Sequence, residues 1–201
     1  MDNEGRKPNL TLVKESPAQV DEAENEAATA VEEESDATED LIGEIAPWST
    51  ILDGERQALK TLHADMRFLI KGVPGAGLNW KPGVNTNSLW SLVLHTLGTT
   101  LHLLSTAADI DPRWQDWKRQ TELSATGEDP ALLLTAINNM DDFLDKVFPV
   151  VEDEDAAAER DWLGKQRPVS WLMAHAVEHA GRHVGHMELT RQLWDQRQKR
   201  R

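Results

Sequence analysis

From Trp48 onward, apolar residues return at steps of three and four: Ile51, Leu52, Ala58, Leu59, Leu62, Met66, Leu69 and Ile70. This is the spacing of one buried helical face, and it predicts a helix with Ser49 as its N-cap, ending by Gly72. The following GVPGAGLNWKPGVNTN is rich in Gly, Pro and Asn and reads as a loop, with Trp80 closing one end of the core. Asn87 or Ser88 can cap a second helix, SLWSLVLHTLGTTLHLLSTAADI, which is apolar nearly all round and therefore central. Asp129-Pro130 supplies an N-cap and a first-turn proline for a third helix, whose buried face is Leu133, Ala136, Ile137, Met140, Phe143, Leu144 and Val147, before Pro149. After the acidic, Ala-rich connector VEDEDAAAERDWLGKQR comes a fourth helix, from Pro168 to about Gln196. No strand pattern competes, so the expected class is all-α: an antiparallel four-helix bundle over residues 47–201.

Composition changes the picture at the N-terminus. Residues 1–40 hold thirteen acidic and three basic residues, so ten of the fourteen net negative charges sit there, with scarcely an aliphatic anchor. Such a segment cannot bury enough surface to offset its ordering entropy, and residues 1–46 are expected to be a disordered acidic tail. The remaining charges are nearly balanced and form no basic stripe, which argues against nucleic-acid binding. The basic end RQKRR reads as cations at a helix C-terminus. No run of 18 apolar residues and no apolar leader occur, so no membrane partner is expected and the protein reads as cytoplasmic. Without cysteine the chain has no thiol of its own, and any thiol chemistry must use an external one.

The chemistry is concentrated in histidine. Four of the seven, His175, His179, His183 and His186, lie in the last helix, at angles of about 0°, 40°, 80° and 20° around its axis, hence on one narrow face. A pair at i and i+4 suits a transition metal but needs a donor from a neighbouring helix, and His95 of the second helix is the first place to look. His95 lies roughly 10 Å along its helix, and His179 and His183 average roughly 16 Å along theirs, depths that match if the two helices run in the same direction. Three imidazoles would leave the fourth position of a tetrahedral ion open, as in catalytic sites. Which histidines of the last helix ligate stays open at this level, with His175 and His186 as supporting groups. His175-Ala-Val-Glu178-His179 also matches the H-x-x-E-H pattern of inverzincin peptidases, but too little chain follows His179 to supply their third ligand. The long connection 109–128 carries Trp114 and Trp117 and suggests a substrate entrance.

The pairing of NTNSLWSLVLHTLG with WLMAHAVEHAGRHVGHMELTRQL resembles the DinB-like superfamily of four-helix metal proteins, which includes bacillithiol S-transferases and mycothiol-dependent maleylpyruvate isomerase. The resemblance covers roughly the chain from Trp48 to Gln196. Such families place one metal-binding histidine on the second helix, and a His or Glu plus a His four residues later on the last, followed by a Gly-Gln or Gly-His pair. By resemblance, the ligands fall on His95, His179 and His183, with Gly185-His186 as the trailing pair. Arg182 and Glu188-Leu189-Thr190-Arg191 resemble the actinobacterial branch, which often has Glu where this chain has His179, so this ligand set would be three neutral imidazoles.

The resemblance implies a divalent ion, zinc or nickel, and a metal-dependent thiol S-transferase-type enzyme. Characterised relatives join a low-molecular-weight thiol to an electrophile or isomerise through a thiol adduct; the candidate catalytic groups, Glu178 and His186, are read from the residues and would manage protons in a hydrolase. Two other readings stand beside the transferase: a metal-dependent hydrolase using activated water, and a non-catalytic metal-binding or stress-response module acting through a partner. A homodimer is preferred over a monomer.

Overall fold

The computed structural model describes residues 48–111 and 125–200, and the N-terminal tail and the connection carrying Trp114 and Trp117 lie outside them. Helix α1 spans Trp48–Ile70, α2 is a single turn at Gly75–Leu78, α3 spans Leu89–Ala107, α4 spans Pro130–Val147 and α5 spans Val169–Lys199. Two 3₁₀ turns, Phe148–Val150 and Asp153–Asp155, and two short strands, β1 (Glu159–Trp162) and β2 (Lys165–Pro168), fill the space between α4 and α5. The fold is a helical bundle, as the apolar spacing requires.

The helix starts follow local chemistry. The Ser88 side chain accepts from the Ser91 N–H, and Ser91 reciprocates on the Ser88 backbone, a capping box for α3. Asp129 caps α4 by accepting from the Ala131 N–H at 2.9 Å, with Pro130 directly after it. Ser49 plays a different part from the expected one. Helix α1 already includes Trp48, and the Ser49 N–H donates at 3.0 Å to Asp153 Oδ1, so a carboxylate from the 3₁₀ turn satisfies the helix end. Gly72, at φ 70°, ends α1 as expected.

Two buried clusters stack along the bundle. In one, Met66, Leu69 and Ile70 of α1 meet Leu89, Leu92, Val93 and Leu97 of α3, Leu133, Ile137 and Met140 of α4, and Val184 and Met187 of α5. In the other, Leu52 and Leu59 meet Leu103, Leu104 and Ala107, Leu144 and Val147, and Leu172, Met173, Ala176 and Ala180. The late part of α1 therefore lies with the early parts of α3 and α4 and the late part of α5. Arg191 of α5 confirms the first pairing by donating to the Leu69 and Lys71 carbonyls at 2.7 and 3.1 Å.

Helices α1 and α5 thus run one way and α3 and α4 the other. The expected alternation of directions fails at α3 and α4, because the connection between them is long enough to travel the length of the bundle and start again at the same end. Its return is anchored where Gly127 lies against Trp90, so closely that a Cβ would overlap the indole, and where Asn79 Nδ2 donates to the Gly127 carbonyl at 2.7 Å.

The hairpin was not legible as strands. Its two four-residue strands pair antiparallel, Arg160 opposite Arg167 and Trp162 opposite Lys165, across the two-residue turn Leu163-Gly164. Both turn residues have positive φ, 55° and 77°, the requirement of a type I′ turn that matches strand twist. Strands this short, with arginine at the half-buried positions, give no apolar alternation to detect.

Helices α1 and α4 are joined by an ion-pair ladder. Lys60 and Arg56 reach Asp145 at 2.5 and 3.4 Å, and Arg67 pairs with Asp141 and donates to Asn138 at 2.8 Å. His63, fully buried, places Nδ1 2.6 Å from Asp141 Oδ1.

Candidate metal centre

Helix α3 packs on α5 with its partly buried His95 turned toward the histidine face. One ligand-capable atom from each of His95, His179 and His183 lies within 4.8 Å of the others. The ring centroids are 5.2 Å apart for His95 and His179, 4.8 Å for His95 and His183, and 4.5 Å for His179 and His183. The two helices run in opposite directions, not in the same one, and the rings still meet because the start of the 31-residue α5 packs beside the end of the 19-residue α3, which brings the middle of α5 level with the first half of α3.

The environment suits a neutral donor set. Burial, followed by the fields of His183, His95, His175 and Arg182, pushes the His179 pKa down to about 3. Burial first, then His95, His186 and Arg182 against the opposing Glu178, brings His183 down to about 4. Both rings are therefore neutral near pH 7, the form that carries a lone pair for a metal. Their Nδ1 atoms are buried without a hydrogen-bond partner, which is costly in a closed protein interior and fits a site completed by an ion. Three imidazoles within this span match the donor type and reach of a zinc or nickel centre with an open position.

The remaining sequence candidates sit around this triad. His186 is exposed, with its ring 5.4 Å from His183. Glu178 is exposed on the flank, its carboxylate 3.1 Å from His175 Nδ1 and paired with Arg182. His175 is stacked on Trp171 at 4.5 Å, and its ring centroid is 6.1 Å from that of His179.

Trp171 and Trp162 also border the site, beside His175. Trp171 stands four residues before His175, so the four-residue step that relates His175, His179 and His183 reaches it directly. Trp162 comes from the hairpin and touches both Trp171 and His175, at 5.7 and 5.8 Å, and nothing in its local sequence announces that placement.

A family model described as the DinB superfamily matches residues 58–187, a span that contains all three triad histidines. Among solved structures, one described as a conserved protein of locus from Enterococcus faecalis superposes with a TM-score of 0.59 at 16% identity. The alignment covers 70% of this chain and 95% of that one. At that identity the likeness speaks for the fold. No curated protein matches the chain.

Proposed function

The chain belongs to the DinB superfamily, and on that footing we propose that it is a metal-dependent thiol S-transferase-type enzyme of the cytoplasm. The observation that carries the reading is the convergence of His95, His179 and His183, two of them with buried, unpartnered Nδ1 atoms. A zinc or nickel ion there would supply Lewis acidity, favouring the deprotonated form of a thiol at neutral pH. The chain itself has no cysteine, so the thiol is a separate small molecule, and its sulfur attacks a small electrophile.

Each residue has a share in this. The triad rings stay neutral through burial, so they do not compete with the thiol as acids. His186, exposed next to His183, passes the thiol proton to solvent. Glu178 holds His175 by its Nδ1, and the held ring together with Trp171 walls the site at one side and keeps water from the thiol sulfur. The acting unit is residues 47–201.

The test is metal analysis of the purified full chain, followed by a thiol-by-electrophile activity screen on protein loaded separately with zinc, nickel and manganese. Substoichiometric metal unaffected by His183→Ala would refute the reading. Turnover that needs no thiol would replace it with hydrolysis.

A further inference from the structure

The inner face of the β1–β2 hairpin has an arrangement that folding alone disfavours. Arg160 and Arg167 are direct cross-strand partners, so two guanidinium groups share one face of a two-stranded ribbon. Like charges directly opposite each other are destabilising. Both side chains are partly buried, and the Nε atom of each is buried without a hydrogen-bond partner. Arg160 has one distant counter-charge, Asp155 at 3.8 Å. Among the described residues Arg167 has no carboxylate partner, and its guanidinium lies over the Trp171 ring at 4.8 Å.

The third half-buried position on this face is Trp162, which contacts Trp171 and His175 and lies 6.3 Å from His102. A hairpin that merely covered the bundle would turn apolar residues inward. This one turns in two cations and an indole beside the column Trp171, His175, His179 that leads to the triad. Arg160 also lines a cleft of about 720 Å³ with His102 and Thr106 of α3. Asp109, Asp111 and Asp161 line the same cleft and are exposed, whereas Arg167 stands opposite Arg160 on the ribbon and outside that lining.

We infer that Arg160 and Arg167 form a carboxylate subsite, and that Trp162 contacts the flat, conjugated body of the ligand bearing that carboxylate. Arginine suits this role because its planar fork matches a carboxylate and its face packs on indole rings. The inference rests on the proposed transferase reading in one respect only: the ligand is then the electrophile presented to the triad.

The test uses the full chain, with benzoate as probe and benzamide as its uncharged counterpart, followed by calorimetry and thermal unfolding. Benzoate is expected to bind the native chain, and to bind about tenfold or more weakly in Arg160→Gln and Arg167→Gln, with benzamide weaker by a similar factor. Without benzoate both variants should unfold at the native temperature or higher, because each relieves the like-charge pair, and benzoate should raise the unfolding temperature of the native chain alone. Equal benzoate affinity in the double variant, or no binding up to roughly 10 mM, overturns the subsite. A lower unfolding temperature of the variants without ligand also overturns it, since the pair would then be structural. His183→Ala separates this subsite from the transferase reading: retained benzoate binding there supports the subsite whatever becomes of thiol activity. Loss of binding in His183→Ala but not in the arginine variants would place the carboxylate at the triad and overturn it.

Discussion

His95 and His183 meet with ring centroids 4.8 Å apart although they belong to helices that run in opposite directions and join opposite halves of the sequence. Their contact depends on the start of α5 packing beside the end of α3, which brings the middle turns of α5 level with the first half of α3.

If these rings are ligands, His183→Ala and His95→Ala should each lower bound metal to about a tenth or less of the native level in competition with a chelator. The gain in unfolding temperature on adding zinc should vanish with it, since only binding to the folded state stabilises. An unchanged zinc-dependent shift in both variants would remove the triad from consideration.

The buried His63 makes stability depend on pH. Burial, the largest cause, depresses its pKa despite the opposing hydrogen bond and charge of Asp141, while Arg67 and Lys60 add to the depression. A depressed histidine contributes stability that is fully present above its unfolded value of about 6.5 and is lost as pH falls from there toward its folded value. Urea unfolding of the metal-free chain should therefore show lower stability at acidic pH than at neutral pH. The triad contributes a slope of the same sign, so the share of His63 is the part removed by His63→Gln. An identical pH slope in that variant would contradict this assignment.

The return of the long connection should be sensitive at Gly127. Adding a single methyl in Gly127→Ala drives Cβ into the Trp90 indole, which is itself buried in the core. Overpacking of this kind costs about 1–3 kcal/mol. Denaturant unfolding measures it, and Trp90→Leu in the same background should recover part of the loss.

The hairpin turn offers a change in the opposite direction. Leu163 is 54% exposed at φ 55°, a backbone region that asparagine tolerates better than leucine. Leu163→Asn creates the Asn-Gly pair favoured in type I′ turns and should stabilise the chain by roughly 0.5 kcal/mol. Gly164→Ala, at φ 77°, should destabilise it by about 1 kcal/mol. The pair of variants measured together distinguishes turn conformation from general disturbance of the hairpin.

Much of this molecule could be read along the chain. The apolar steps located all four long helices, Ser88 and Asp129-Pro130 marked two starts, and the four-residue histidine step located the triad side of α5. What escaped has a common physical origin in sequence distance. The ladder from His63 to Asp141 and the Asp153 carboxylate on the Ser49 N–H are set by packing between elements, so no local window contains them. Helix direction escaped for a related reason. A connection of the length between Ala107 and Pro130 is compatible with turning back or with travelling the whole bundle, and only the clusters decide.

The separation of His95 from His179 and His183 along the chain has a consequence for synthesis. His95 leaves the ribosome well before the other two, and the three imidazoles cannot meet until α5 has emerged. If the triad holds an ion, capture by all three rings waits until α5 has been made, and a chain interrupted before α5 lacks two of the three.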